Sequence, residues 1–175
     1  AWDHVNVFPT EAHYVDQFRQ YLLSVEKGGT VVHCEEDASL NGVVDALKTQ
    51  RTDIHWVGYK TPSHRPLPNG SEVSFSGTPP MPIALLGAHN MQNLAGARAC
   101  CKAMGMAYSE FDRHIANFTG AAKRLEVACK SEENQFVAFR DFAHAPSKLR
   151  ATQASVVSQY PDRGGTAVFE LHTFS

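Results

Sequence analysis

The sequence lacks most of the features that announce a function at first sight. No C-x-x-C joins its four cysteines, Cys34, Cys100, Cys101 and Cys129, which argues against a zinc ribbon or redox dithiol and for buried, reduced thiols. No lysine and arginine stripe runs along any segment, and acids slightly outnumber bases for a formal net charge of -2. A nucleic-acid partner is therefore not expected. No apolar run is long enough to cross a bilayer and no signal-peptide pattern opens the chain, so the expectation is a soluble cytoplasmic protein without a membrane partner. Internal repeats and low-complexity tracts are missing too. So is G-x-x-x-x-G-K-[ST], the loop that cradles nucleotide phosphates. At 175 residues, 43% of them hydrophobic, the chain can still bury a real core, as one domain or as two small pieces.

What is present is organised around Leu85-Leu86-Gly87-Ala88-His89-Asn90-Met91-Gln92-Asn93-Leu94-Ala95-Gly96-Ala97. Pro82 to Leu86 is a short, mostly apolar strand candidate, Gly87 can take a backbone conformation closed to other residues, and Asn90 suits the first position of a helix. Asn90 and Asn93 stand three apart, so their amides share a face near the helix's positive end. An amide there can read a purine edge with one donor and one acceptor side by side, or simply cap the helix.

Along the chain, Pro9-Thr10-Glu11 starts a helix with Tyr14, Phe18, Tyr21 and Leu22 at helical spacing, ended by Gly28-Gly29. Thr30 to Cys34 is a β-branched strand, and Asp37 to Leu47 a helix with Leu40, Val43, Val44 and Leu47 on its apolar side. Asp53 to Tyr59 is the next strand. Pro62, Pro66 and Pro68 make Thr61 to Gly70 a loop. Ser71 to Ser76 alternates as a half-exposed strand, and a helix from Asn90 to about Met104 carries Ala95, Gly96, Ala97 and Ala99, small enough to lie close against a sheet. Ser109-Glu110-Phe111-Asp112 has the form of a capping box for a short helix ending near Gly120. Leu125 to Cys129 and Gln135 to Phe142 form a hairpin across Lys130 to Asn134. Pro146 then opens a helix to about Tyr160, with Leu149, Thr152, Val156 and Tyr160 inward, and Thr166 to Leu171 is a last strand. The whole reads as α/β, with a boundary near Gly120. Both ends are abrupt, and the chain reads as cut from something longer.

Polar clusters sit at the element ends, where α/β proteins place their sites. Asp3-His4 offers a carboxylate and an imidazole, ordinary ligands for magnesium or zinc, or a plain solvent-facing pair. Asp141 and His144, between a strand and a helix start, could meet ribose hydroxyls and an anion, or cap the helix. Lys123-Arg124 could contact phosphate or lie as an exposed strand end. His13, His33, His55, His64 and His114 show no ligand spacing.

Taken in order, these pieces resemble the Mur ligases, ATP-dependent enzymes that join amino acids or peptides to UDP-N-acetylmuramic acid in bacterial cell-wall metabolism. The matching pieces are Asp3-His4, Gly87-x-His89-Asn90-x-x-Asn93, Phe118-x-Gly120 followed by Arg124, Asp141-Phe142-Ala143-His144-x-Pro146, and Glu170-Leu171-His172. Within the family, Gly87 to Asn93, Lys123 to Glu126 and Asp141 to His144 look most like the muropeptide ligase branch of peptidoglycan recycling, which attaches L-alanyl-γ-D-glutamyl-meso-diaminopimelate. The L-alanine-adding branch is a close second. A noncatalytic nucleotide-binding α/β module is the alternative of another class.

The resemblance implies that residues 1–120 are the rear part of a central ATP-binding domain and residues 121–175 the start of a Rossmann-like carboxy-terminal domain. It implies ATP and Mg2+ as cofactors, UDP-N-acetylmuramate and an amino acid or peptide amine as partners, and a missing amino-terminal part of the same chain. His4 corresponds to a histidine that helps hold magnesium. His89, Asn90 and Asn93 fall at the adenine, Asp141 at the ribose, and Arg124, the candidate catalytic residue, at the phosphates. His144 and His172 are candidate substrate contacts. Without the phosphate-cradling loop, the chain is expected to be inactive alone. No lysine follows Asp3-His4 at the place where several members carry a carbamylated one, as expected of the muropeptide and alanine-adding branches. Ala145 stands for a second histidine and Thr173 for an arginine, and both departures bear on the identity of the amine.

Overall fold

The computed structural model describes residues 2, 4–133 and 135–170. Their order is α1 (Glu11–Leu23), β1 (Thr30–Cys34), α2 (Ala38–Lys48), β2 (His55–Tyr59), β3 (Ser63–Leu67), β4 (Gly70–Ser74), β5 (Met81–Ile83), α3 (Ala88–Ala103), α4 (Tyr108–Ile115), β6 (Glu126–Ser131), β7 (Phe136–Arg140) and α5 (Pro146–Gln159). The described residues within Ala1–Pro62 and Gln92–Asp112 form one compact unit, and those within Ser63–Met91 and Arg113–Thr173 a second.

In the first unit β1 and β2 pair in parallel, Thr30 opposite His55 through Cys34 opposite Tyr59. Parallel pairing needs a crossover, and α2 supplies it. Thr10 caps α1 through the His13 amide, and Asp37 caps α2 through the Leu40 amide. Leu22, Val31, Val44, Leu47 and Ile54 form the core, with Val25, Leu40, Val43 and Trp56 packed around them. α1 has no basic residue in its last turn, yet its carbonyls do not go unpaired. The Arg51 guanidinium, 26 to 29 residues downstream, donates to the Leu23 carbonyl at 2.8 Å, to Val25 at 2.6 Å and, at 3.4 Å, to Leu22. Asp53 holds it in place at 2.8 Å, so a planar cation satisfies acceptors that the helix leaves orphaned. α3 lies close to β2 because Gly96 has no Cβ to meet the Tyr59 ring, where one would sit 2.9 Å from a ring carbon.

The expected capping box at Ser109 does not form. Tyr108 already belongs to α4, and the Asp112 carboxylate instead takes both arms of Arg98 at 2.7 and 2.8 Å. Arg98 is buried and also lies 3.9 Å over the Tyr108 ring. A buried guanidinium claims a carboxylate more strongly than an exposed backbone amide does.

The second unit contains a three-stranded antiparallel sheet in the order β3-β4-β5. Here the expected loop at Thr61 to Gly70 is corrected: Ser63–Leu67 pairs with Gly70–Ser74, Pro66 opposite Ser71. Proline is excluded from central strands, whose amides donate on both sides, but β3 is an edge, and so is β5 with Pro82. Gln159, at the end of α5, donates to the Leu67 carbonyl in the β3–β4 turn. The hairpin β6–β7 forms as expected, with Glu126 opposite Arg140 and a bulge between Val127 and Cys129. Phe139 of β7 meets Tyr160 at 6.1 Å between ring centroids. The last expected strand is not seen over residues 166–170, which carry no regular structure, with Val168 almost fully exposed. A strand is stable only with a neighbour to take its hydrogen bonds, and none pairs with this segment among the described residues. Leu171 lies outside them. No described helix is long and apolar enough to cross a membrane.

One core residue works against its surroundings. His33 on β1 is only 4% exposed, and neither ring nitrogen has a hydrogen-bond partner. Burial lowers its pKa below the ordinary 6.5, Lys48 adds to this, and Glu35 and Asp45 pull the other way. Trp56 packs edge-on against the ring. As pH falls below 6.5, the unfolded chain binds a proton that the folded ring refuses. Stability present above 6.5 is therefore lost until the folded ring itself titrates. His33→Leu is expected to stabilise the protein by about 1–3 kcal/mol, the range for removing a buried unsatisfied polar group. Urea unfolding compared at about pH 7.5 and about pH 5.5 should also show a weaker acid dependence than the parent. An unchanged dependence would mean that another group controls it.

Candidate functional site

The site residues of the second unit are assembled by one face of α5. Thr152 and Ser155 are three apart and point the same way. Thr152 Oγ1 donates to Asp141 at 3.1 Å, and Ser155 Oγ lies 3.3 Å from His89 Nδ1. A carboxylate from the end of β7 and an imidazole from the start of α3 are thus anchored one helical turn apart.

Asp141 has more to hold than that hydroxyl. Its Oδ1 also accepts from the Ala143 amide at 2.7 Å, and its Oδ2 from the Leu125 amide at 2.7 Å. Leu125 and Lys123 both have positive φ, 51° and 58°, a costly state for residues with a Cβ. Further bonds fix the turn: the Phe142 amide donates to the Lys123 carbonyl at 2.9 Å, and the Lys123 amide to Glu126 at 2.8 Å. Between these two left-handed residues Arg124 is held outward and exposed, its guanidinium 5.8 Å from the Phe142 ring centroid, within cation–π range. The carboxylate orders the turn that presents the cation.

At the start of α3, Gly87 has φ 83°, and a Cβ there would run into Ser155 Oγ. Its carbonyl accepts from the Asn90 and Met91 amides, so the helix begins two residues earlier than expected. Asn90 is accordingly not the first helical residue. Its Nδ2 turns back to donate to the Leu86 carbonyl at 2.8 Å, which leaves Oδ1 as the atom able to accept from a ligand. Asn93 lies one turn further along α3 and is exposed; it belongs to the first unit. Burial lowers the His89 pKa; Asp141 opposes this and Arg124 reinforces it. The ring is therefore neutral at physiological pH.

The remaining candidates are placed differently. His144 Nδ1 lies 2.9 Å from the Phe142 carbonyl, which can only accept, so Nδ1 carries the proton and Nε2 faces Lys148 Nζ at 3.4 Å. Both nitrogens are engaged within the unit. His4 is exposed in the first unit, with φ 57°, its carbonyl taking the Val7 and Phe8 amides. Asp3 and His172 lie outside the described residues. Among those described, no three His, Cys, Asp or Glu side chains cluster as a metal site. Ser155 carries no motif; its signal in the sequence is only that it and Thr152 are two polar residues three apart on the buried side of α5.

The fold and these contacts define an α/β protein whose loops at strand ends and helix starts gather a carboxylate, a cation and a neutral imidazole. Its likeness is to the Mur ligases. No family model matches the sequence. A UDP-N-acetylmuramate--L-alanine ligase of Roseiflexus castenholzii is 25% identical over 197 residues, covering 99% of this chain and 41% of that protein. MurF of Acinetobacter baumannii superposes with a TM-score of 0.74 at 18% identity, over 91% of this chain and 36% of its own. UDP-N-acetylmuramate-alanine ligase MurC of Thermotoga maritima gives 0.67 at 16% identity, over 91% and 37%. The fold is that of a Mur ligase in part, and the chain spans about two fifths of the length of the curated relatives it matches.

Asp141→Ala is expected to lose about 1.5–3 kcal/mol, the range for hydrogen bonds to a charged group. Hydrogen exchange should quicken at the Leu125 and Ala143 amides before it does so in β6 or β7. Unchanged protection at both amides would show that the turn holds without the carboxylate.

Proposed function

We propose that this chain is part of an ATP-dependent cytoplasmic ligase that joins an amino acid or peptide to the carboxylate of UDP-N-acetylmuramate through an acyl phosphate. The observation that carries the reading is that His89, Arg124 and Asp141, from three separate segments, are organised within one unit by α5 and by one carboxylate. The activity of the sequence relatives, UDP-N-acetylmuramate--L-alanine ligases, supports it. In this reading residues 1–120 are the rear part of the ATP-binding domain and residues 121–175 open the carboxy-terminal one.

Adenine lies against His89 and Asn90, with Asn90 Oδ1 as an acceptor. Asp141 offers the ribose its one lone pair not used by Leu125, Ala143 and Thr152. The muramoyl carboxylate takes the γ-phosphoryl group of ATP, releasing ADP. The amine then attacks the acyl carbon, and inorganic phosphate leaves with the amide formed. Arg124, held outward by the Lys123–Leu125 turn, offsets charge on the transferred group. Phosphate cradling must come from residues other than these, so this chain alone is expected not to turn over. Magnesium accompanies the nucleotide in this reading, but the described residues offer it no cluster, only His4 as a single ligand, and no step is assigned to it. His144 and His172 remain substrate candidates, His144 only after giving up its bonds to Phe142 and Lys148.

The relatives' names favour L-alanine as the amine, whereas the wording of Gly87–Asn93 and Asp141–His144 favours the muropeptide tripeptide. Phosphate release by the full-length gene product with ATP, magnesium and UDP-N-acetylmuramate, on adding L-alanine or the tripeptide, distinguishes the two. Arg124→Ala is expected to lower kcat by about 100-fold, as for loss of one preorganised charge-stabilising group. Release with neither amine would leave a noncatalytic nucleotide-binding module.

A further inference from the structure

Ser155 has one hydroxyl proton and two neighbours that could receive it. The Ala151 carbonyl, one turn back on α5, lies 2.7 Å from its oxygen, and His89 Nδ1 lies 3.3 Å away. A carbonyl can only accept, and the shorter bond goes to it, so the proton belongs to Ala151. What Ser155 turns toward His89 is a lone pair. Ser155 is buried, and the contact is sealed by the missing side chain of Gly87, whose Cβ would occupy the hydroxyl's place. Two lone pairs facing each other at a buried hydroxyl would repel and leave the contact unsatisfied. Nδ1 must therefore carry the imidazole proton, opposite to the tautomer that free imidazole side chains prefer. Nε2 is left with its lone pair and, among the described residues, forms no protein hydrogen bond. Asp141 and Arg124 are the charged groups near enough to influence the ring.

We propose that Ser155 is a positioning residue that holds His89 as its Nδ1–H tautomer, so that Nε2 is presented as a hydrogen-bond acceptor selecting a nucleobase that bears an amino group. An acceptor at that place attracts the 6-amino group of adenine and repels the 6-oxo group of hypoxanthine. Selectivity then comes from a lone pair with no proton to offer, where an Nε2–H would reverse the preference. The base preference rests on the nucleotide reading above; the tautomer does not.

Long-range nitrogen–proton NMR correlation on histidine-labelled full chain reads the tautomer directly. The expected result is a protonated Nδ1 and a bare Nε2 for His89 in the parent, moving toward a protonated Nε2 in Ser155→Ala. Titration with ATP and ITP should show a preference for ATP that drops about three- to tenfold in Ser155→Ala, the range for one hydrogen bond. A structural defect alone would weaken both nucleotides equally. A protonated Nε2 in the parent overturns the proposal without need of a variant that folds, as does a tautomer unmoved by Ser155→Ala. A protonated Nδ1 whose ring signals respond to neither nucleotide upholds the role of Ser155 and overturns the nucleotide reading.

Discussion

The carboxylate of Asp141 is the constraint on which the rest of the second unit depends. Its partners come from three places in the sequence: the turn before β6, the residue two positions on, and the middle of α5. Together these bonds to a charged group hold two residues in left-handed backbone states that neither favours by itself. Arg124 inherits its position from that arrangement. A group that resembles a ligand contact in sequence thus has a prior job in the fold, and any nucleotide must share it.

The same economy governs α5. A helix of low amphipathicity, with neither an acid in its first turn nor a base in its last, is held by polar side chains on its inner face. Thr152 and Ser155 serve Asp141 and His89, and Gln159 reaches the β3–β4 turn. The helix acts as a rail along which polar groups from distant segments are set in register.

Much of this was legible from sequence, for identifiable reasons. Thr30–Cys34 is legible as β1 with the bounds observed, because β-branched residues between two glycines and a capping aspartate leave little choice. α1 and α2 follow from Thr10 and Asp37 as caps and from apolar residues at helical spacing. The hairpin β6–β7 follows from alternation on both sides of a polar turn. What escaped depends on partners far along the chain. Pro66 looks like a loop residue in sequence because nothing local says that its strand lies at an edge. Ser109 and Asp112 have the spacing of a cap, but only the fold brings Arg98 to Asp112. Asn90 suits a helix start, yet the Gly87 carbonyl already takes the Asn90 and Met91 amides, so α3 starts at Ala88. The site residues could be named from motif order; their shared support on α5 could not, since Thr152 and Ser155 resemble any polar helix positions.

The two prolines of the β3-β4-β5 sheet carry a consequence for how this protein keeps to itself. Pro66 and Pro82 sit in its two outer strands, so each rim lacks an amide that a foreign strand would need in order to dock. The sheet is self-terminating: it cannot template fibres through either margin without first confronting a residue that has no hydrogen to give. The β1–β2 ribbon has no proline in either strand, so it keeps the full set of backbone donors by which a parallel sheet is extended.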